Sequence, residues 1–588
     1  MPTPIKFGTE FLVNSSYTGA QFSPVATGLA DGRFVIAWSD EYGDGSAEGV
    51  KAQIFRADGS KDGPEFLVNT TTQSQQDTPA VTALANGGFV IGWTDSSETG
   101  GESYGSSVRA QIFNQNGSKL GTEIVLNTEP SFAALEVALT TLPDGRLVAS
   151  WTSGSDTDGD PSEFGIHAQL FNSDGGKTGP EFLVNTSVNS LQRNSTIAAL
   201  PDGGFIISWS DPSASNLEIP LNDIRAQMFN ADGSKAGAEM LVNTTIARDQ
   251  NSSQITVLAD GGFVIAWSDD VRRFGGPPNA LGAQVFDANG NKLGGELFLK
   301  ASQTGESFAP EITALSDGRF VATWQNAGIH AQIFNADGSA AGAEVKVETL
   351  SSDVKNPTID TLADGRVIVS WIDRNSSVDD LEDYAIRAQI LDPRDAPVVL
   401  NGTKLADQYI GTAWADRLSG GAGNDTLNGA AGNDILKGES GNDSLLGGAG
   451  NDTIFGGDGN DRLKGDIGDD RLVGGAGNDK ITGGTGRDVM TGGLGADDFI
   501  FASAAEIGNG GTRDIISDFQ TGFDDIDLRA LKTDGAYIGT AAFSGTAGEV
   551  RYLQESGIVS GDLDGDGVAD WSLNIANRAA LTAADFLF

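Results

Sequence analysis

Residues 447–466 read GGAGNDTIFGGDGNDRLKGD, one nine-residue phrase written twice and begun a third time. Extended both ways, the phrase places an aspartate at Asp416, Asp425, Asp434, Asp443, Asp452, Asp461, Asp470, Asp479, Asp488 and Asp497. Two residues after each stands an apolar side chain, from Leu418 and Leu427 through to Met490 and Phe499. An apolar residue at every ninth position fits neither a 3.6-residue helix nor an alternating hairpin sheet. It fits a coil of tight turns and short strands. The G-G-x-G-x-D half turns on glycines that take positive φ without a Cβ penalty. The x-U-x half supplies a three-residue strand whose middle side chain points inward.

If two repeats make one coil, turns eighteen residues apart stack, with Asp434, Asp452 and Asp470 on one edge and Asp443, Asp461 and Asp479 on the other. Stacked strands lie about 4.8 Å apart, and two bare carboxylates at that spacing repel by roughly 1 to 3.5 kcal/mol. A hard cation bound by carboxylate and turn-carbonyl oxygens converts the repulsion into a clamp, and calcium tolerates such an irregular shell better than magnesium. The ladder therefore predicts a calcium-loaded parallel β-roll. A flexible Gly/Asp linker has no reason to hold apolar residues at a fixed ninth position. The phrase resembles the nonapeptide G-G-x-G-x-D-x-U-x of RTX proteins, over residues 411–500, with the degenerate units GTKLADQYI and GTAWADRLS at 402–419 as an entry cap.

The chain has 588 residues, a formal charge of −44, no cysteine and two histidines. So acidic a surface argues against nucleic acid or anionic membrane as partner, and the lack of cysteine excludes disulfides and thiolate metal sites. The N-terminus, MPTPIKFGTEFLVNSS, shows no apolar signal-peptide core. Weak calcium sites nevertheless belong where calcium is abundant, at roughly 10⁻⁴ to 10⁻³ M. Residues 496–528, with ADDFIF and TRDIISDFQTGFDDIDL, and the closing AALTAADFLF resemble the C-terminal region of serralysin metalloproteases. That resemblance implies an uncleaved signal for a type I ABC exporter, and hence an extracellular protein of a Gram-negative bacterium. Within this region Asp562, Asp564, Asp566 and Asp570 spell D-x-D-x-D-G-x-x-D. This is the opening of an EF-hand-like calcium loop without the glutamate due at position twelve, or else a turn joining two strands.

A longer period fills the first four hundred residues. Trp38, Trp93, Trp151, Trp209, Trp267, Trp324 and Trp371 each follow an Asp-Gly or Asn-Gly turn. Each precedes an Ala-Gln pair that carries Gln53, Gln111, Gln169, Gln227, Gln284, Gln332 or Gln389. Every unit holds four strand signals joined by hairpin turns. An extra EFLVN strand at the start balances a missing one at the end, so a closed ring, a seven-bladed β-propeller, is expected. The expected fold is all-β: propeller at 1–396, linker and entry repeats at 397–419, roll at 420–500, and a small β-rich secretion region at 501–588.

The tryptophans suit interblade packing better than a sugar platform, and the glutamines suit backbone satisfaction. Lys51, Arg109, His167, Arg225, His330 and Arg387 precede the Ala-Gln pairs, with Gly282 in the fifth unit. They form either an anion site or solvated strand ends. No H-E-x-x-H exists around His167 or His330, which excludes a zinc protease of that kind. GESYG at 101–105 sets Ser103 in a loop rather than a nucleophile elbow. Glu136, Glu311 and Asp360 are candidate acids on inner strands. The leading expectation is a secreted calcium-binding adhesion or recognition protein with a glycan or exopolysaccharide ligand. A polysaccharide-acting enzyme and a surface-layer scaffold are the alternatives. The connections after the tryptophans, at 41–49, 96–107, 153–165 and 373–385, form the variable rim. The short sixth connection, Trp324 to Gln332, leaves a notch between the fifth and seventh loops, and the ligand is expected there or over the channel mouth.

Overall fold

The computed structural model describes residues 3–15, 19–97, 105–128, 133–154, 164–187, 191–212, 221–245, 249–270, 280–301, 308–350, 353–374, 384–531 and 536–588. Ser103 and most of the rim loops at 96–107, 153–165 and 373–385, with the fifth connection at 271–279, lie outside them. The chain forms two compact units, Met1–Pro393 and Arg394–Phe588.

The first unit is a ring of seven four-stranded antiparallel sheets. Six are continuous in sequence. The seventh joins Val354–Thr361, Val367–Asp373 and Ala385–Asp392 to Ile5–Leu12 from the start of the chain, with Lys6 opposite Leu391. The orphan strand thus closes the ring, as its sequence position requires. The hairpins turn as the Asp-Gly pairs predict. In LADGR, Gly32 adopts φ +85° and Leu29 and Arg33 close the turn, while Asp31 Oδ1 accepts the Arg33 N–H. The first strand of each blade packs on the first strand of its neighbours, so these seven strands ring a central channel. A left-handed residue recurs on six of them: Ser23, Thr78, Glu136, Asn194, Ser252 and Asn356, at φ +47° to +59°. Each coincides with a register shift against the second strand, the signature of a β-bulge that bends the inner strand.

All seven tryptophans are fully buried. Trp38 packs with Ile368, Ile372 and Ile386 of the neighbouring blade, so they are interblade core and no sugar platform. The glutamines satisfy backbone carbonyls: Gln53 Nε2 donates to Ile54 O and, across the sheet, to Gly63 O. The cations are neither an anion site nor solvated strand ends. Lys51 is paired to Asp40 and Glu65, Arg225 to Asp211 and Glu239, Arg387 to Asp373 and Glu10, His167 to Glu181 and His330 to Glu344. The outer-strand glutamates also reach the preceding blade. Glu181 accepts Thr128 N–H, Glu239 accepts Thr186 N–H and Glu296 accepts Thr244 N–H.

In the second unit, eighteen-residue coils stack into two parallel sheets, with Leu418 beside Leu436 and Leu427 beside Leu445. The inward apolar column from Leu418 to Phe499 is at most 2% exposed. Most strands run six residues, as in Thr453–Asp458, rather than the expected three, because the glycine half also pairs, Gly457 beside Gly475. Within residues 397–419, expected as linker and entry repeats, Val399–Asn401 and Gln408–Ile410 already form the first strands of the two sheets. The sheets do not stop at residue 500. Ile515–Ile516 and Trp571–Ile575 continue one and Asp525–Asp527 and Phe586–Leu587 the other, over a single hydrophobic core from Tyr409 to Phe586. Among the described residues no helix is long and apolar enough to cross a membrane.

Candidate metal centre

Stacking at eighteen residues places the repeat aspartates in two buried columns, each side chain at most 2% exposed. One carboxylate oxygen of each locks the stack. Asp452 Oδ1 accepts the N–H of Asp434 at 2.8 Å, Asp470 Oδ1 that of Asp452 at 2.8 Å, and Asp461 Oδ1 that of Asp443 at 2.8 Å. The other oxygen has no hydrogen-bond partner in Asp425, Asp434, Asp443, Asp452, Asp461, Asp470, Asp479, Asp488, Asp497 and Asp514. Most buried side-chain polar atoms are paired, and an unpaired carboxylate oxygen is the costliest kind to leave so, so these ten anionic orphans, stacked in register, point to a missing cationic partner. The glycine that opens each repeat lies against that oxygen. A Cβ on Gly447 would overlap Asp452 Oδ2, and one on Gly465 would overlap Asp470 Oδ2. Hard anionic oxygens in a cradle kept clear of side chains fit calcium.

The columns differ from the sequence expectation at both ends. Asp416 does not belong with the orphans: its Oδ2 accepts the Thr412 N–H at 2.5 Å and the Thr412 hydroxyl at 2.9 Å. Thr403 serves the preceding Asp407 in the same way. These two coils are closed by a threonine where the later ones present an open oxygen. At the exit, Asp514 and Asp524 extend the columns, accepting the N–H groups of Asp488 and Asp497. Asp524 is closed again, by the Gln520 N–H at 2.8 Å, whereas Asp514 is open. Sequence periodicity missed both, because they stand 26 and 27 residues after their neighbours instead of 18. It also missed an outer ladder in which Asn433 and Asn442 accept the N–H groups of Asn451 and Asn460.

Burial makes these carboxyls reluctant to ionise without a cation. Desolvation, with stacked carboxylates adding to it, pushes Asp434, Asp470 and Asp479 up to about 7. Asp425 rises to about 6 and Asp514 to about 9. An unfolded aspartate titrates near 3.9, so between about pH 4 and pH 7 the metal-free folded unit binds more protons than the unfolded chain. Its stability is therefore present at acid pH and lost as pH rises through that window. In protein freed of divalent cations, circular dichroism is expected to show the β-signal of residues 394–588 at pH 5 and its loss by pH 7.5. A flat or rising profile would exclude the ladder as the cause.

The C-terminal loop gathers three of its four predicted residues. Asp562, Asp564 and Asp570 bring oxygens within 4.8 Å of one another. Asp566 is outside that group and its carboxylate accepts the Val568 N–H. Both oxygens of Asp562 accept backbone N–H groups, from Gly565 and Gly567. The arrangement is an ordered acidic turn whose cluster offers two exposed carboxylates beside one buried one.

Of the propeller's candidate acids, Glu311 and Asp360 line one cavity, on the inner strands of neighbouring blades. Glu136 Oε2 accepts from the Thr152 hydroxyl and the Asn194 N–H, both at 2.9 Å. Asp360 is held by the N–H groups of Gly28 and Thr361 at 3.0 and 2.8 Å. Glu311 accepts from Gln254 Nε2 at 2.7 Å, and desolvation pushes it up to about 8.

The roll matches the RTX calcium-binding nonapeptide repeat (4 copies) at residues 401–436, 410–445, 428–463, 437–472 and 464–499. No curated protein matches the chain. Solved structures that resemble it include a protein of unknown function from Dyadobacter fermentans, 12% identical, covering 67% of this chain and 100% of its own, with a TM-score of 0.41. Another is the α-L-arabinanase of Penicillium chrysogenum complexed with arabinobiose, 14% identical, covering 54% of this chain and 92% of its own, with a TM-score of 0.37. A fungal alcohol oxidase of the AA5 family, complexed with copper, is 12% identical over 68% of this chain and 82% of its own, with a TM-score of 0.41.

Proposed function

We propose that this chain is a secreted, calcium-dependent recognition protein whose propeller binds an extracellular glycan or exopolysaccharide. The observation that carries the calcium dependence is the set of ten buried aspartate oxygens without partners. When bound, calcium neutralises the columns, and Asp425 through Asp497 together with Asp514 would hold it. Such weak sites fill where calcium is abundant. Together with the serralysin-like closing segment, this supports export from a Gram-negative cell by a type I ABC exporter, with the roll folding outside. Recognition is favoured over turnover because hydrolysis of a glycosidic bond needs two available carboxyl groups. All three candidate acids are already hydrogen-bonded within the propeller, Glu136 and Asp360 to hydroxyl and N–H groups and Glu311 to Gln254.

The test is a screen of the calcium-loaded full chain against neutral and acidic oligosaccharides and exopolysaccharides, with products followed in parallel. Saturable binding that leaves the oligosaccharide intact is expected. Release of shortened sugars would replace this reading with the enzymatic one, and binding to none would remove it.

A further inference from the structure

The channel bounded by the seven inner strands encloses a cavity of about 610 Å³, within the usual 300–1,000 Å³ of small-ligand sites. Its wall is asymmetric at one level. The residue two places beyond each inner-strand bulge lies opposite the same position of the second strand in every blade: Val25 pairs Ala37, Ala80 pairs Gly92 and Ala138 pairs Ser150. In blades four to seven this position is Thr196, Gln254, Glu311 and Thr358. Five of the seven side chains are small. The two long ones, Gln254 and Glu311, are adjacent, bonded to each other, and part of the cavity wall. One half of the ring is thus aliphatic and the other carries an amide, a carboxyl and two hydroxyls. The described residues lining the cavity include no Lys, Arg or His.

From this geometry we infer that the channel binds a neutral sugar unit, its apolar ring face against Val25, Ala80 and Ala138 and its hydroxyls toward Gln254, Glu311 and Thr358. The inference rests on the glycan-recognition reading above and narrows it. A uronate or sulfated sugar would bring a negative charge into a cavity with no lining cation to neutralise it, a burial cost that disfavours it. Glu311 is raised above neutrality by desolvation, so near pH 7 it presents both a hydroxyl donor and a carbonyl acceptor, which suits a polyol. The Gln254–Glu311 bond alone would be a structural tie between blades five and six. A merely structural tie predicts that substituting it changes stability and leaves ligand affinity untouched.

The experiment uses the calcium-loaded full chain and two probe series, neutral hexose oligosaccharides of two to six units and the corresponding uronic acid oligomers, measured by titration calorimetry. Neutral oligosaccharides are expected to bind. Glu311→Leu should weaken them at least tenfold, Glu311→Gln should stay within about threefold, and Ala138→Phe, which fills the cavity from its aliphatic side, should abolish binding. Thermal unfolding of each variant reports whether the propeller is intact, and Glu311→Leu serves if Ala138→Phe does not fold. Neutral binding that ignores all three substitutions would overturn the channel site and leave glycan recognition standing. Binding of the uronic series alone would overturn the ligand class, and no binding by either series would remove both readings.

Discussion

Removing divalent cations from the full chain at neutral pH is expected to unfold residues 394–588 while the propeller persists. Within the ten open carboxylates, eight neighbouring pairs are stacked through the N–H to Oδ1 lock, four in each column. Full ionisation of the columns would cost about 1 to 3.5 kcal/mol a pair, in sum comparable to the whole stability of a domain, about 5–15 kcal/mol. The same aspartates supply the backbone locks, so repulsion acts where the coils are joined. Circular dichroism should lose part of its β-signal, and limited proteolysis should cut beyond residue 394 while sparing the first unit. Millimolar calcium should restore both, and magnesium should not. An unchanged spectrum in excess chelator would refute the ladder as a metal-dependent element.

The second large effect concerns ring closure. Deleting residues 3–14 should abolish the propeller's cooperative unfolding transition. It would remove the outer strand of blade seven and leave Ala385–Asp392 as an apolar open edge, a template for aggregation. It would also remove Asn14 Oδ1 from the Ile386 N–H at 3.0 Å, Phe7 O from Gln389 Nε2 at 2.9 Å, and Glu10 from the Thr349 N–H at 2.8 Å. A point substitution probes the same seam. Arg366 is fully buried, paired to the buried Asp364 at 2.7 Å, donates to Ala57 O at 2.6 Å and lies 4.4 Å over the Phe7 ring. Arg366→Ala leaves a buried carboxylate uncompensated, which costs about 3–5 kcal/mol. Denaturant titration of the calcium-loaded protein should show a markedly lower first midpoint. A midpoint equal to that of the unmodified chain would show that the ring does not depend on this closure.

Both architectures were legible where a short period was repeated without interruption. Aspartate and leucine at every ninth position specify a stacked coil, and seven phased tryptophans with one displaced strand specify a closed ring. The partners of the strand-end cations were not read, although their signal was present. Lys51–Glu65, His167–Glu181 and Arg225–Glu239 are all 14 residues apart. A strand taken alone shows each cation only beside its own neighbours, whereas a hairpin returns a residue fourteen places on to the adjacent strand. Asp514 and Asp524 escaped for the opposite reason. The inserted residues around Ala504–Ile507 and Gly510–Thr512 break the period while the stacking itself continues. Asp416 kept the period but not the chemistry, since Thr412 stands near enough to fill its open oxygen.

The lock from each aspartate N–H to the carboxylate eighteen residues on sets the step by which such a roll can lengthen. Duplicating a single nonapeptide would transfer every later repeat to the opposite edge, rotating whatever follows by half a turn. Duplicating two leaves all downstream contacts as they were. Genetic growth of this architecture is therefore quantised in pairs of repeats, and the inheritable module is twice as long as the motif that the eye picks out.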